Sequence, residues 1–196
     1  MDRWRQNRFH QALLLGSLLP LCWLLMQVVH EAGHVLAAWL SGGEVERVVL
    51  HPLAISRTDL ARNPQPLFVA WAGGVVGSAF PMIVWMIVGN TRWAGTFLLR
   101  FFAGFCLIAN GAYLAGGSFA GVGDAGDLLR HGGAMWHLWL FGLATIPAGL
   151  ALWNGLGPHF GYGTDARQIP RGLSYTCLAA LGLLIGLEVL ISAYVG

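Results

Sequence analysis

Charge is scarce in this sequence, and the scarcity limits the kind of protein it can form. Only 10% of the 196 residues are Asp, Glu, Lys or Arg, whereas a soluble domain carries about 25%. Lysine is absent, and the eleven arginines are scattered rather than clustered, so the net charge of +2 builds no basic stripe for nucleic acid. With 56% apolar residues and a mean hydropathy of +0.63, the composition predicts a membrane protein and excludes nucleic acid as a partner.

Cysteine is scarce as well. The three cysteines, Cys22, Cys106 and Cys177, lie far apart in apolar segments without CxxC spacing. This pattern argues against a disulfide framework or a thiolate metal site, and it predicts small buried apolar side chains.

Long apolar runs, by contrast, are abundant. A bilayer core of about 30 Å requires roughly 20 apolar residues per helix, and five such runs occur, at residues 12–40, 67–88, 97–115, 135–156 and 173–195. No linker or repeat divides the chain. We therefore expect an all-α integral, multi-pass membrane protein embedded in the lipid bilayer as a single domain over residues 1–196.

The longest polar stretch, residues 44–66, separates the first two spans. Residues 44–50 are β-branched and partly alternating, and residues 54–56 offer a returning strand, so a short β-hairpin is predicted here.

Glycine and serine recur at four-residue spacing in two of the spans. The pairs are Gly73 with Gly77, Gly74 with Ser78, and Gly182 with Gly186. Small residues on one helix face allow two helix backbones to approach closely in lipid. This spacing predicts close helix packing at each pair.

The strongest chemical signal is an HExxH sequence, from His30 to His34, inside the first apolar run. Histidines at i and i+4 share one helix face and can bind the same Zn²⁺. Glu31 stands beside them as a candidate general base for a water that the metal activates. Ionisable residues within a membrane span are costly unless they are paired or coordinated, which favours a functional site over a polar packing cluster.

A hydrolytic zinc site usually needs a third protein ligand. Asp124 and Asp127 are the candidates, since they lie just beyond the third span. The first and third spans cross in the same direction, so His30 and Asp124 fall on the same side of the membrane. A second interpretation of this stretch is a glycine-rich turn in which Asp127 caps a short helix beginning at Leu128. Both can hold if Asp124 is the ligand and Asp127 the cap.

Together these residues resemble the site-2 protease family of zinc intramembrane metalloproteases, over the first three spans. An HExxH within a membrane helix is followed two spans later by Asp124, Ala125 and Gly126. The resemblance implies that His30, His34 and Asp124 bind Zn²⁺ and that Glu31 is catalytic. Asn110 is the nearest counterpart of an Asn that precedes the Asp in that family.

The function that follows is a zinc metalloendopeptidase acting in or near a transmembrane segment of a membrane-protein substrate. The predicted hairpin offers an edge strand that an unwound substrate segment could join. Two alternatives remain open: a transporter or metal-handling protein that uses the same ligands without hydrolysis, and a silent relative that retains membrane partners. Glu31 favours hydrolysis, because a simple ion site does not need a glutamate between the histidines.

Three further polar residues lie outside this motif. Glu188 is the sole acid of the fifth span and lies close enough to its end to reach water, or else serves as a functional group. Arg100 is expected to extend to the membrane interface. His51, in the first loop, is expected at the surface, with a place in the metal site as the alternative.

Overall fold

The computed structural model describes residues 3–91, 93 and 95–195. The elements, in chain order, are α1 (Arg3–Leu40), β1 (Glu44–Val49), β2 (Arg57–Arg62), α2 (Pro66–Val88), α3 (Thr96–Ala120), α4 (Gly123–Arg130), α5 (Met135–Trp153), a 3₁₀ turn (Gly157–Phe160) and α6 (Arg171–Val195).

Five of the helices, α1, α2, α3, α5 and α6, are long and apolar enough to cross a membrane. The short α4 is not. The predicted fold class, all-α with one small hairpin, is therefore confirmed. α5, the helix predicted as the fourth span, ends at Trp153 rather than at residue 156, because Asn154 leaves the helical conformation (ψ 130°) and Gly155 adopts a left-handed φ of 78°.

Helix packing follows the small residues in only part of the chain. α1 packs on α2, α2 on α3, α3 on α5, and α6 mainly on α1. Gly73, Gly74 and Gly77 each face a side chain of a neighbouring helix, as predicted, but a side chain at Gly182 or Gly186 would meet nothing within 4 Å among the residues that the structure describes. The close packing predicted for that last pair is therefore not found within the described part of the chain, because the glycine face of α6 is turned away from it.

α1 begins at Arg3, nine residues before the predicted start at residue 12. Its polar first turns are accommodated because they bond to the C-terminal part of the chain. Gln11 donates to the Phe160 carbonyl (2.7 Å), Asn7 accepts from the Ile169 N–H (2.8 Å), and the His10 ring bonds to the Ser174 hydroxyl (3.0 Å). These bonds form an N-terminal brace that joins α1 to the segment before α6 and to the first turn of α6.

The three cysteines are buried and unpaired, as expected, with Cys22 and Cys177 in one apolar cluster.

The hairpin is present, but its second strand lies later than predicted. β1 and β2 are antiparallel, with Val48 opposite Thr58 and Val49 opposite Arg57. Residues 54–56, predicted as the strand, belong instead to the connecting loop. A turn at His51 explains the difference, since its carbonyl accepts from the Ala54 N–H and its ring from the Leu53 N–H.

α3 ends in a tight reversal that leads directly into α4. Gly121 and Gly123 take left-handed φ values of 63° and 56°, which glycine adopts without strain. α4 therefore begins at Gly123, so Asp124 lies in its first turn and Asp127 lies inside it. The predicted capping role of Asp127 is wrong; its carboxylate pairs with Arg130 at 2.8 Å.

Candidate metal centre

α1 presents His30 and His34 on one face, a single helical turn apart. Both are buried, as is Glu31 between them. The two imidazoles meet edge to face, with their Nε2 atoms 3.1 Å apart. The helical period is the cause, since residues at i and i+4 stack on the same side of the helix.

Asp124 reaches this histidine pair from the first turn of α4. Its Oδ2 atom lies 2.7 Å from Nε2 of His30 and 3.2 Å from Nε2 of His34. The glycine reversal after α3 places the carboxylate there, and Asp127, one turn of α4 later, points to Arg130 instead. Of the two candidate acids, the structure brings only Asp124 to the histidines.

The second nitrogen of each imidazole is held by a carbonyl oxygen. His34 Nδ1 lies 2.8 Å from the Val69 carbonyl, and His30 Nδ1 lies 2.7 Å from Oδ1 of Asn110. The Asn110 amide is itself oriented, because its NH₂ group donates to the Cys106 carbonyl (2.9 Å). A neutral imidazole that donates from Nδ1 leaves a lone pair on Nε2, which is the state a metal ligand requires.

Two imidazole nitrogens and one carboxylate oxygen thus converge with their lone pairs facing one another. These ligand atoms all lie within 4.8 Å of each other. Protons can partly relieve the contact, whereas a divalent cation satisfies all three atoms at once. The nitrogen and oxygen donor set suits zinc, and three protein ligands leave one position open, as in hydrolytic sites. The residues therefore fit a metal ion.

The surroundings of Asp124 shift the pKa of its carboxyl group in two opposite directions. Burial by itself raises the pKa of a carboxyl group. When protons rather than a metal ion lie between these groups, the hydrogen bonds and positive charge of the two histidines outweigh burial and bring the pKa of Asp124 below its usual range. Asp124 is therefore held in the ionised form that binds cations.

Glycines of α2 make room for the centre. A Cβ atom at Gly73 would collide with the imidazole of His34 and would lie 2.7 Å from Nε2 of His30. A Cβ atom at Gly77 would lie 2.9 Å from the Asn110 amide nitrogen. The small-residue face of α2 thus accommodates the histidines and their amide partner, a role beyond the packing that its spacing predicted.

Tyr113 of α3 contacts both His30 and Asp124. Its ring lies edge-on to the His30 imidazole, with centroids 5.7 Å apart, and its hydroxyl accepts from the Asp124 N–H at 3.2 Å. Tyr113 is not among the site residues predicted from the sequence. It lies three residues after Asn110 on the same face of α3, and this spacing could have indicated that it faces the same centre.

Glu31 and the hairpin border a cavity beside the histidines. Glu31 is 3% exposed, and one of its oxygens, Oε2, accepts a hydrogen bond from the Thr58 hydroxyl of β2 at 2.7 Å. The cavity has a volume of about 1210 Å³ and is lined by residues of α1, α2, α3 and α4, of both strands and of the loop between the strands. The centre therefore opens onto a space large enough for a peptide segment.

Comparison with known proteins bears on this arrangement. A family model described as "Peptidase M50B-like" matches residues 10–117, more than half of the chain. The chain belongs to the site-2 protease family of peptidases. No curated protein and no solved structure matches this chain.

The matched region of this M50B-like protein contains the HExxH sequence and Asn110, but it ends before Asp124. The third candidate ligand therefore rests on geometry rather than on the family match. Its proximity to both histidines in the structure supplies that geometry.

The remaining polar residues take no part in the cluster of candidate ligands. Among the residues that the structure describes, this cluster comprises His30, His34 and Asp124 alone. His51 accepts a hydrogen bond within its own turn, as a loop residue. Arg100 donates to the Asn154 carbonyl beyond the end of α5. Glu188 is buried rather than open to water, which corrects the expectation that it reaches solvent.

Proposed function

We propose that this protein is a zinc-dependent endopeptidase that hydrolyses a peptide bond in or near a transmembrane segment of a membrane protein. The observation that carries the proposal is the convergence of His30, His34 and Asp124 beside Glu31, in a chain of the site-2 protease family. His30, His34 and Asp124 would hold the ion. When bound, zinc supplies Lewis acidity and lowers the pKa of a coordinated water towards about 7.

Glu31 is the proposed general base. Its Oε2 atom is engaged by Thr58, which leaves Oε1 to accept a proton from the attacking water. A buried carboxylate within hydrogen-bond reach of a reacting group is the usual requirement for this role.

The hairpin is the proposed docking site for the substrate. A transmembrane helix hides its carbonyls in i to i−4 hydrogen bonds, so the substrate must unwind locally before attack. A two-stranded sheet has free edges, and β2 borders the cavity. An unwound, extended substrate segment can therefore add to the sheet by β-augmentation, which places its backbone next to Glu31.

The first test separates the base from the ligands. We expect Glu31→Gln to retain zinc and to lose cleavage of single-span reporter proteins reconstituted in the same vesicles, because only proton transfer is removed. Asp124→Asn should lose both zinc and cleavage. Asp165→Asn, at an exposed acid that does not line the cavity, is the control and should retain both, and Asp127→Asn, at the other acid of α4, should retain zinc.

Undiminished cleavage by Glu31→Gln would rule out Glu31 as the base. Zinc flux across the vesicles without cleavage by the wild-type protein would favour a transporter. Membrane-partner binding that persists after zinc removal, again without cleavage, would favour a silent scaffold.

A further inference from the structure

Thr58 connects the hairpin directly to Glu31. Its hydroxyl donates to Oε2 of Glu31 at 2.7 Å across 27 residues of chain. Among the residues that the structure describes, Thr58 is the one hydrogen-bond partner of the Glu31 carboxylate. A single contact from a β-strand therefore determines how this carboxylate is presented to the cavity.

The position of Thr58 on β2 follows from the strand period. Side chains alternate between the two faces of a strand, so Thr58 and Leu60 share one face and Arg57 and Asp59 the other. Leu60 packs on the apolar cluster where α1 meets α2. Asp59, on the outer face, pairs with Arg47 and Arg57 at 3.3 and 3.2 Å.

The inner face of β2 is thus anchored at Leu60, and its outer face is braced by ion pairs. Thr58 is held between these two restraints. Its hydroxyl is consequently placed by the backbone of β2 rather than by a flexible chain end.

This contact has a chemical consequence for the proposed base. An ionised carboxylate has two equivalent oxygens, and an unrestrained glutamate samples several rotamers. The Thr58 hydroxyl bonds to Oε2, and no residue that the structure describes bonds to Oε1. A charge-assisted hydrogen bond of this kind is among the stronger ones, so it selects one orientation of Glu31.

We propose that Thr58 is the positioning residue for Glu31, and that it couples the docking of an extended substrate on β2 to the orientation of the base. This inference rests on the proposed function and adds the physical link between the substrate-binding strand and the reaction. A substrate strand that pairs with β2 restricts the motion of β2. It thereby restricts the Thr58 hydroxyl and the Glu31 carboxylate that this hydroxyl binds.

The test uses the zinc-loaded, full-length protein. Thr58→Val removes the hydroxyl at nearly constant volume, and Thr58→Ser retains it. We expect Thr58→Val to lower kcat at least tenfold with KM within about threefold of wild type and zinc content unchanged, since a hydrogen bond to a charged group is lost. Thr58→Ser should keep at least half of the wild-type kcat. Thr176→Val, the same change on an exposed site of α6, should leave kcat unchanged.

A second readout does not depend on activity. Amide hydrogen exchange over residues 57–62 should accelerate to a similar extent in Thr58→Val and in Glu31→Ala, because each removes one partner of the bond. Glu31→Gln should remain protected, since its amide oxygen still accepts. Wild-type exchange in Thr58→Val overturns the inference, as does a Thr58→Ser variant that is as slow as Thr58→Val. Absence of cleavage by the wild type with the expected exchange pattern counts instead against the proposed function.

Discussion

Gly73 provides the sharpest test of how the metal centre is built. Replacing it by alanine places a Cβ atom in collision with the imidazole of His34 and 2.7 Å from Nε2 of His30. Non-bonded carbon contacts are normally about 3.5 to 4.0 Å. Both rings would therefore have to retreat by about 1 Å, and the His34 ring would strain the bond that holds it to the Val69 carbonyl.

The expected magnitude follows from that displacement. Misplacing an active-site group by 1 Å costs about 100-fold in rate, and disturbing the groups that orient a ligand costs about 10- to 100-fold in metal affinity. The helix itself should gain, because alanine is favoured over glycine by about 1 kcal/mol in a helix interior. We therefore expect Gly73→Ala to fold and to bind zinc at least tenfold more weakly.

The assay is zinc affinity by chelator competition, together with the thermal unfolding temperature of the metal-free protein. Gly74→Ala is the matched control, because its Cβ would meet the flexible end of Leu114 at 2.6 Å rather than an imidazole. It should cost packing energy, about 1 to 3 kcal/mol, and leave zinc affinity unchanged. Wild-type affinity in Gly73→Ala would refute the placement of α2 against the histidines.

Two further substitutions test the groups that orient the ligands. Asn110→Leu removes the oxygen that receives the His30 Nδ1 proton; zinc affinity measured by chelator competition should fall about 10- to 100-fold, and an unchanged value would contradict the assigned tautomer. Tyr113→Phe removes the acceptor of the Asp124 N–H; in the same assay zinc should bind several-fold more weakly, while Tyr162→Phe, at an exposed tyrosine, should match the wild type.

The sequence was sufficient for the parts of the site that depend on local periodicity. The spacing of His30 and His34 places two imidazoles on one face wherever the helix packs, and the apolar runs predict the five long helices. Asp124 could be predicted only by a second inference. The first and third spans should cross the membrane in the same direction, so the end of the third span should lie on the same side as the histidines. Both the histidine spacing and the approach of Asp124 agree with the geometry of the centre.

What sequence reasoning missed depends on contacts between elements. The orienting bond from Asn110, the collision that Gly73 avoids and the Thr58 hydroxyl all arise where helices and strands cross, and no periodicity encodes a crossing. The second strand was misplaced for a similar reason. A local turn at His51 withdraws residues 54–56 from the sheet, although their composition suits a strand.

The N-terminal brace sets a limit on how this protein can be divided. The recognisable family sequence stops at residue 117, yet α1 relies on hydrogen bonds to Phe160, Ile169 and Ser174 for its polar end, and the histidines meet a carboxylate at residue 124. A fragment trimmed to the recognisable stretch would lose the acid and leave polar side chains of α1 without partners. The family match therefore ends before the residues that α1 and the metal centre need as partners.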